Sequence, residues 1–388
     1  MTLTDRIASD LRRQIESGAY QPGTRLPSAS EICARYEVSN ITARAVVKRL
    51  VQEGLVESRS RSGVFVAERG PENAFRSSSR MIGLILSGLH SPFYTGMLAS
   101  IERACREAGY GLKVVGTDDD SLTEMEQLRS LPETVDGLIV NPVTGPHAYP
   151  IFEELLERGF PLVLVVRYLD KLDVPTVVSD NEAGGYLMTR HLLVEGRSNL
   201  VVIQDYRDCA ARDRIDGCHR AFREMRSGTK GPTVVQCREL AEPGGYFLTR
   251  DLVRRGLLPL GKSAVFALNS ELARGSMAAL RECGLKVPED VALGGFDDML
   301  AMYFDPPLTT VRQDLEGMGV RAVQLLLQQM SGETLAPGQR RVTMPVQLVT
   351  RRSTNIRCDQ TVGDHLDNLE IFSGLSSQVS RLPRPALT

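Results

Sequence analysis

Four cations near the start of the chain have the spacing to bind phosphate groups. Arg59 and Arg61 alternate with serines in SRSRSG, residues 58–63, with no acid beside them. Arg44 and Lys48 are four residues apart, which places both on one face if the segment is helical. Such a set could hold the backbone of a nucleic acid. A solvated turn and a solvated helix face are the alternatives that these residues leave open.

A second motif imitates a nucleotide-binding loop in the wrong context. GLLPLGKS, residues 256–263, fits the pattern G-x-x-x-x-G-K-[ST] letter for letter. Such a loop must follow a strand and open a helix, whereas here the helical pattern YFLTRDLVRRG precedes it and the strand pattern SAVFALN follows. Lys262 is therefore expected to be a solvated cation. No G-x-S-x-G elbow occurs, and no G-x-G-x-x-G follows a strand. The sequence therefore lacks the motifs that would position a nucleophile or bind a cofactor in an enzyme.

Metal chemistry has no clear ligand set in the sequence. The seven cysteines are scattered without any C-x-x-C pair. The spacing of Cys209, Cys218 and His219 matches no common zinc pattern. Reduced thiols that mostly fill the core are expected instead. We therefore predict neither a metal ion nor a cofactor.

The composition is that of an ordinary soluble globular protein. The chain has 388 residues, of which 42% are hydrophobic and 24% charged, with a net charge of -2, and this length predicts two or three domains. Any nucleic-acid surface must therefore be local. No apolar run approaches the roughly 18 residues of a membrane span, and the start MTLTDRIASDLRRQ lacks a signal-peptide core. A cytoplasmic location without membrane contact is expected.

Three short helices should position the first basic pair. A helix with an apolar residue at every fourth position is predicted to end at Gly18, its buried side formed by Ile7, Leu11 and Ile15. Ser28 with Glu31 forms a capping box that begins a second helix. Ser39 can cap a third, NITARAVVKRLVQEG, with a buried stripe of Ala43, Val46, Val47 and Leu50.

A hairpin should position the other basic pair. Strands are predicted over residues 55–58 and 64–66, with SRSRSG as the turn between them. Two helices joined by a tight turn and followed by such a hairpin describe a winged helix-turn-helix. In that arrangement Arg59 and Arg61 lie beside the recognition helix, where they can contact the DNA backbone or a groove edge.

This segment resembles the DNA-binding domain of the GntR family of bacterial regulators. The residues that match the family pattern are Leu26, Pro27, Ser28, Glu31, Val38, Ser39, Thr42, Arg44, Glu53, Gly54, Leu55, Arg59, Gly63, Val64, Phe65 and Val66. The resemblance implies a DNA-binding domain over residues 1–66, with contacts from Ser28, Ser39, Asn40, Thr42, Arg44, Lys48, Arg59, Arg61 and Gly63. Ser30, Asn40 and Arg61 replace the family's arginine, arginine and glycine. Because the first two positions commonly read bases in the family, a different operator sequence is expected.

A second module begins after the linker AERGPENAFRSSSR, residues 67–80, which has little to bury. From Met81 onward, apolar strand patterns alternate with helical patterns. The strands include MIGLILSG, GLKVVGT, VDGLIVNPV, PLVLVVR, NLVVIQD, PTVVQC, SAVFALN and VALGGFDD, and the helices include TGMLASIERACREAGY, EAGGYLMTRHLLVEG, RIDGCHRAFREM and ELARGSMAALRECG. We predict a doubly wound α/β fold with two similar subdomains and a cleft between them.

The module resembles the effector domain of the LacI family, which is built like the periplasmic sugar-binding proteins. The matching segments occur in the family's order over residues 81–353: SPFY, VDG, Pro161, Asp180 with Asn181, Arg214 with Gly217, GLKVPEDV, GFDD and PLTTV. The resemblance implies a periplasmic-binding-protein-like α/β module that binds an effector and forms dimers. The tail, residues 354–388, lies outside both resemblances.

The resemblance places six residues at ligand-contacting positions: Phe93, Tyr94, Arg167, Arg214, Asn269 and Asp297. A sugar needs buried partners for its hydroxyl groups and an apolar ring against one face. Arg214 offers a fork of donors. Asp297 can accept from two hydroxyl groups, and Asn269 can both donate and accept.

Each of these residues also has a structural alternative. Asp297 could cap a turn in GGFDD, and Asn269 could cap the helix that follows it. Arg214 could pair with a nearby acid such as Asp213 or Asp216. The aromatic pair at positions 93 and 94 could belong to the core between the subdomains.

Three departures from the family pattern limit what can be said of the ligand. Val166 and Ser270 replace aspartates that are common in the family, and Leu240 replaces an aromatic wall. We therefore expect a small polar ligand, a sugar or a derivative of one, without naming it.

The two modules together resemble regulators of the arabinose-repressor type. We expect a ligand-responsive repressor and homodimer that binds a double-stranded DNA operator and a small effector. Closure of the cleft would alter the spacing of two DNA-binding domains on a two-fold operator. Two alternatives are a sugar-binding transport protein, for which the signal peptide is missing, and an α/β enzyme, for which the motifs above fail.

Overall fold

The computed structural model describes residues 3–16, 19–21, 23–52, 55–59, 63–66, 79–89, 91–143, 145, 147–204, 208–225, 231–238, 241–333, 335–336 and 340–355. Several predictions from the sequence fall outside these residues. They are the helix end at Gly18, the contact of Arg61, the departure at Leu240, most of the linker and nearly all of the tail. Of Arg59 the backbone is described and the side chain is not.

The first 66 residues contain three helices and a two-stranded hairpin, as predicted. The helices are α1 (Leu3–Glu16), α2 (Ala29–Tyr36) and α3 (Asn40–Gln52), and the strands are β1 (Val56–Arg59) and β2 (Gly63–Val66). The strands pair antiparallel, with Val56 opposite Val66. Apolar side chains from all three helices and the hairpin form one core, among them Leu11, Ile32, Val46, Leu50 and Val66.

The two predicted caps of this domain are present. The Ser28 hydroxyl accepts the N–H of Glu31 at 3.3 Å, and the Glu31 carboxylate accepts the N–H of Ser28 at 2.7 Å. The hydrogen bond to the Ser28 side chain lowers the pKa of Glu31. Ser39 accepts the N–H of Thr42 at 3.2 Å at the start of α3. The boundary of each helix therefore follows from a short polar side chain that satisfies a free N–H group.

A third extended segment, absent from the sequence prediction, ties the hairpin to the start of α2. Leu26 donates its N–H to the carbonyl oxygen of Val64 at 2.8 Å, and Val66 donates to Thr24 at 2.8 Å. Gly63 lies in this arrangement at φ 116°, and a Cβ atom there would come within 2.9 Å of Arg25 Nε. Gly63 is therefore required by the backbone geometry of the hairpin.

The larger module contains two six-stranded sheets. Its strands are β3 (Met81–Leu86), β4 (Gly111–Gly116), β5 (Gly137–Val140), β6 (Leu162–Val165), β7 (Thr176–Ser179), β8 (Asn199–Gln204), β9 (Thr233–Gln236), β10 (Ser263–Ala267), β11 (Val291–Phe296), β12 (Thr309–Gln313), β13 (Arg341–Met344) and β14 (Val346–Val349). The strand orders are β13-β7-β6-β5-β3-β4 and β14-β12-β11-β10-β8-β9. Both sheets are parallel except for β14, which pairs antiparallel with β12. The matching orders confirm two similar, doubly wound subdomains.

Helices cover both faces of each sheet. They are α4 (Phe93–Glu107), α5 (Ser121–Ser130), α6 (Tyr149–Glu157), α7 (Asn181–Val194), α8 (Cys209–Met225), α9 (Ala241–Arg254), α10 (Ser270–Glu282) and α11 (Leu315–Met330). In the first subdomain α4 and α11 share one core with the sheet, and α5 and α6 share the other. In the second, α7 and α8 lie on one face and α9 and α10 on the other. Burial of the sheets on both sides explains their continuous apolar strands.

The chain passes between the subdomains at three places. Asp180 joins β7 to α7, Asp314 joins β12 to α11, and Pro345 joins β13 to β14. Asp180 and Asp314 have similar backbone angles, and each caps the helix that follows by accepting an N–H, from Ala183 at 2.9 Å and Gly317 at 2.8 Å. The two subdomains are therefore each built from separated parts of the sequence.

The segment that matches the nucleotide-binding pattern lies between a helix and a strand, as the sequence predicts. Residues 256–262 follow α9 and lead into β10, and Lys262 is exposed. The segment thus has the reverse order of a phosphate-binding loop, in which a helix N-terminus faces the ligand.

Candidate ligand cleft and candidate nucleic-acid interface

A cavity of about 220 Å³ lies where the carboxyl ends of strands from both sheets meet, and side chains from both subdomains line it. All six residues placed there by resemblance are among its lining residues: Phe93, Tyr94, Arg167, Arg214, Asn269 and Asp297. Crevices at strand carboxyl ends are the usual ligand sites of doubly wound folds. The structure therefore brings together residues that are up to 204 positions apart, from 93 to 297.

The first subdomain contributes a hydrogen-bonded hydroxyl pair. Tyr94 lies in the first turn of α4 with its ring edge-on to Phe93, at 5.0 Å between centroids. Its hydroxyl is 2.9 Å from the hydroxyl of Ser87, and Asn141 Nδ2 donates to both, at 2.6 and 2.8 Å. Burial raises the pKa of Tyr94. This aromatic pair packs in the core of the first subdomain, not in a core between the subdomains, and it also lines the cavity wall.

The sequence analysis missed Ser87 and Asn141. Each is the first polar residue after an apolar strand, Ser87 after β3 and Asn141 after β5. Strand carboxyl ends meet at one edge of a parallel sheet, so this position was a usable signal. The Oδ1 atom of Asn141 is buried without a hydrogen-bond partner among the described residues.

The second subdomain contributes a fixed guanidinium group. Arg214 donates from Nε to Asn181 Oδ1 at 2.8 Å and from a terminal nitrogen to the carbonyl oxygen of Leu268. Its guanidinium carbon lies 3.6 Å from the centroid of the Phe296 ring. Asp213, one alternative partner considered for it, instead accepts from the Tyr168 hydroxyl at 3.0 Å. Hydrogen bonds to Asn181 and Leu268 therefore hold Arg214 in place at the cavity wall.

Two glycines allow α7 and α8 to approach closely enough to hold Arg214 there. A Cβ atom on Gly185 would lie 1.9 Å from the carbonyl oxygen of Arg214, and one on Gly217 would lie 2.0 Å from that of Glu182. Any larger residue at either position would separate the helices. This packing gives a physical reason for the spacing of Arg214 and Gly217 in the sequence motif.

Capping a helix or a turn was the structural alternative for both Asn269 and Asp297, and the two residues differ in whether they have that role. Asn269 caps α10 by accepting the N–H of Leu272 at 2.8 Å, so the capping role is real, and the residue still lines the cavity. Asp297 is buried at the cavity wall and accepts from Gln313. Burial raises its pKa, against the opposing effect of the Arg214 charge. The next residue, Asp298, holds the turn, through bonds to Thr310, Arg312 and Arg351.

Arg167 lies across the cleft. From the end of β6 in the first subdomain it binds Asp119 at 3.0 Å and the carbonyl oxygen of Pro142 at 3.1 Å. Its Nε donates to Asp208 of the second subdomain at 2.8 Å. The guanidinium group is therefore already bonded by protein groups on both sides of the cavity.

Neighbouring residues extend this bridge. Tyr168 donates to Asp213 at 3.0 Å, and Arg212 binds Asp170 with two bonds of 2.9 Å. The Arg341 guanidinium lies 3.8 Å from the centroid of the Tyr168 ring. We call Arg167, Asp208, Tyr168, Asp213, Arg212, Asp170 and Arg341 the intersubdomain bridge.

Val166 and Asp297 occupy equivalent places in the two subdomains. Each follows the same strand in the sheet order and donates its N–H to the strand beside it, Val166 to Val177 and Asp297 to Val311, both at 3.0 Å. Both have positive φ values, 67° and 77°. That conformation is unfavourable for a β-branched residue. The sequence departure at Val166 therefore leaves an apolar, strained residue at one wall and a carboxylate at the other.

The cavity carries more negative than positive charge. Its charged lining residues are four carboxylates, Asp119, Asp208, Glu271 and Asp297, and two guanidinium groups, Arg167 and Arg214. Both arginines already donate to protein acceptors. The described lining therefore offers acceptors for hydroxyl groups, and its excess of carboxylates over guanidinium groups disfavours an anion.

On the smaller domain, α3 presents a cationic face. Asn40, Arg44 and Lys48 are exposed, and neither cation has an ion-pair partner within the described part of the chain. Ser28 and Ser39 are used as caps, and the Thr42 hydroxyl lies 3.0 Å from that of Ser39. The backbone of Arg59 pairs with Gly63 beside this helix. The contacts of all these residues with DNA remain predictions.

The described residues contain neither a membrane-spanning helix nor a cluster of metal-binding side chains. No helix among them is both long and apolar enough to cross a membrane. No group of three or more histidine, cysteine, aspartate or glutamate side chains in the same residues has the arrangement of a metal site.

Models of two protein families match the chain. The model described as bacterial regulatory proteins, gntR family, matches residues 3–66. The model described as a periplasmic binding protein-like domain matches residues 189–354.

Characterised proteins match over most of the length. The arabinose metabolism transcriptional repressor of Geobacillus stearothermophilus is 28% identical over 361 residues, covering 90% of this chain and 96% of that protein. The HTH-type transcriptional regulator reg1 of Streptomyces lividans is 32% identical over 298 residues, 73% of this chain and 83% of that protein. A crystal structure of a LacI family transcriptional regulator from Enterococcus faecium with bound ribose superposes with a TM-score of 0.61 at 26% identity, covering 71% of this chain and 98% of that structure.

Proposed function

The chain belongs to the bacterial transcriptional regulators that join a GntR-type DNA-binding domain to a LacI-type effector domain, and we propose that it is a repressor whose operator affinity is set by a small neutral sugar bound in the cleft. Family membership confirms the predicted regulator and removes the transport protein and the enzyme as alternatives. The observation that carries the effector proposal is the cavity itself, lined by polar groups from both subdomains.

The geometry supports a ligand that touches both subdomains at once. Hydroxyl groups of Ser87 and Tyr94 lie on one side, and Arg214, Asn269 and Asp297 lie on the other. A ligand that bonds both sides favours the closed arrangement, because only there are all its polar groups satisfied. Phe93 and Tyr94 supply the apolar surface that a sugar face needs.

The charge of the lining supports a neutral sugar over a phosphorylated or acidic one. An anion would be buried among four carboxylates that outnumber the two arginines of the lining. Burial of an uncompensated charge is strongly unfavourable. Two relatives are consistent with this proposal, since one is named for arabinose metabolism and another holds ribose.

A panel of sugars tests the effector proposal. The full chain is heated with arabinose, ribose, xylose and glucose, and with the phosphate or acid form of each, and the melting temperature is recorded. At least one neutral sugar should raise it, by mass action on the folded state, while its charged counterpart should not. Stabilisation by the phosphates and not by the neutral sugars would contradict the proposal.

We propose that the regulator acts as a homodimer in the cytoplasm, divided into residues 1–66, 67–80, 81–353 and a tail 354–388. One exposed apolar patch supports the dimer: Met299, Met302 and Tyr303 are 44%, 63% and 85% exposed around a short helical turn. Apolar patches of this kind mark protein interaction sites. A two-fold dimer would also match a two-fold operator.

A single charge in the patch tests the dimer. Tyr303→Asp should shift the sedimentation coefficient toward that of a monomer, because a carboxylate would be buried in the interface. Phe247→Asp is the control, since Phe247 is also an exposed apolar residue, 46% exposed, but lies on a different element, α9. An unchanged dimer with Tyr303→Asp would place the interface elsewhere.

A further inference from the structure

The recognition helix carries an apolar side chain on its outer face that packing does not explain. Ile41 is 83% exposed at the second position of α3. On the opposite face Ala43, Val46 and Leu50 are fully buried in the domain core. Burial of an isoleucine side chain stabilises a folded domain, and Ile41 makes no such contribution, unlike the apolar residues on the buried face of α3.

The surroundings of Ile41 favour one kind of partner. Positions 41, 44, 45 and 48 follow the spacing of a single helix face, which places Ile41 and the exposed Ala45 beside Arg44 and Lys48. Neither cation has an ion-pair partner among the described residues. A face that combines methyl groups with free cations is complementary to the DNA major groove, where phosphates flank base edges. A protein partner of ordinary composition would not require both cations.

The major groove offers one apolar group, the C5-methyl of thymine. Residues at the start of a recognition helix are those that contact base edges, and Ile41 lies in the first turn. The hydroxyl groups of Ser39 and Thr42 in the same turn are within 3.0 Å of each other, and Ser39 also caps the helix. The apolar surface of Ile41 is therefore more available to a base than these hydroxyls are.

We propose that Ile41 is a specificity-determining residue that packs against the methyl group of a thymine in each operator half-site. Arg44 and Lys48 supply the electrostatic attraction, and Ile41 discriminates thymine from cytosine at one base pair. This inference rests on the DNA-binding function and adds the chemical feature that is read. The family carries an arginine at the position of Asn40. The proposal gives the neighbouring apolar residue, Ile41, a role in contacting the bases.

Deoxyuridine substitution tests the proposal, because it removes only the methyl group. An operator is first selected from randomised duplex DNA with the full chain. Each thymine is then replaced in turn by deoxyuridine. At one position of a half-site the wild type should bind about fourfold more weakly, the effect of one buried methyl group. Ile41→Ala should bind both duplexes equally at that position, and Ile41→Val should retain part of the difference.

Val51→Ala is the matched control, since Val51 is a partly exposed apolar residue at the far end of α3, 39% exposed. It should keep the full thymine preference. If Ile41→Ala keeps it too, or if no thymine methyl affects wild-type binding, the proposal is wrong. If selection yields no bound DNA at all, the DNA-binding function fails and the proposal with it.

Discussion

Two neighbouring aspartates after β11 have different surroundings, and only Asp297 faces the cavity. Asp298 holds Arg351 at 2.6 Å and Arg312 at 2.8 Å, and these bonds connect the turn to β12 and to the segment after β14. Among the described residues, the Asp297 carboxylate accepts one side-chain hydrogen bond, from Gln313. The same sequence motif therefore contains one structural carboxylate and one that is available to a ligand.

Exchange of each aspartate for asparagine should separate these roles. Asparagine tolerates the positive φ of Asp297 better than alanine does. Asp297→Asn should keep the melting temperature and weaken sugar binding by about tenfold or more, since hydrogen bonds to charged groups contribute roughly 1.5–3 kcal/mol. Asp298→Asn should lower the melting temperature and leave sugar affinity nearly unchanged. Calorimetric titration and thermal unfolding measure the two effects, and the opposite assignment would exchange them.

Glu124 gives the folded domain a pH dependence. It is buried on α5, its carboxylate accepts the N–H of Val143 at 2.7 Å, and burial raises its pKa to about 7. Because the folded-state pKa is raised, the contribution to stability is full below the unfolded value near 4.5 and is lost as the pH rises through about 7. The glutamine side chain of the Glu124→Gln variant has no charge at any of these pH values. Its free energy of unfolding should therefore increase relative to that of the wild type as the pH rises from 5 to 8, by up to about 3 kcal/mol.

Denaturant midpoints across this pH range measure the difference between the two proteins. Glu153→Gln on α6 is the control, because Glu153 is exposed. Its difference from wild type should not change with pH. A constant difference for Glu124→Gln would show that the carboxyl group is not protonated in the folded protein.

At the residue scale, the sequence predicts which residues line the cavity, but it predicts less about the role of each residue there. All six expected residues line the cavity, and three of them, Arg167, Asn269 and Asp297, are polar residues that follow strand ends. The partner of Arg167 could not be seen, because Asp208 lies 41 positions away on the other subdomain. The sequence also does not show which aspartate of GFDD faces the cavity, because the geometry of the turn decides that.

At the scale of elements, we expect the intersubdomain bridge to influence how the cleft closes. The subdomains are joined covalently only through Asp180, Asp314 and Pro345 among the described residues. The bond of Arg167 to Asp208 lies on the cavity side, and the two side chains are 9% and 11% exposed. Removal of one partner from so buried a pair costs about 3–5 kcal/mol, because the other charge is left unpaired.

A double-mutant cycle on this pair should reveal the bridge. Asp208→Asn keeps the cap of α8, in which Asp208 accepts the N–H of Ala211 at 2.8 Å, and removes only the charge. Asp208→Asn and Arg167→Gln should each weaken sugar binding, and the double variant should bind better than the sum of the two losses predicts. The exposed pair Arg281–Asp305 on the second subdomain is the control and should show almost no coupling. Strict additivity at Arg167 and Asp208 would mean that the bridge does not act in closure.

The elements themselves were mostly predictable from apolar patterns and caps. The eight strand segments quoted from the sequence all contain strands, and α2 begins at its capping box. The strands that were not predicted, β7, β12, β13 and β14, are four or five residues long and lie where the chain crosses between the subdomains or close to such a crossing. Length alone does not separate them from the predicted strands, since β5, β6 and β9 are also four residues long. The pairing of the strands that were not predicted is decided by contacts distant in sequence, as in the register of β13 on β7.

At the scale of the whole molecule, two binding surfaces lie on one chain. The cationic face of α3 belongs to the domain that ends at Val66, and the cavity belongs to the module that begins at Met81. A ligand can change operator affinity only if it binds the two states of the cleft with different affinity. We expect the residues from both subdomains around the cavity to provide that difference, and a dimer would convert closure into a change in spacing between two DNA-binding domains.

Coupling between the cleft and the operator is the central claim, and reciprocal titration tests it most directly. Operator affinity of the full chain is measured by fluorescence anisotropy at increasing concentrations of the stabilising sugar, and sugar affinity is measured with and without operator. We expect operator affinity to change by about 5–150-fold, and sugar affinity to change by the same factor. Asp297→Asn should need a higher sugar concentration for the same change. A sugar that binds the cleft tightly and leaves operator affinity constant would contradict the account.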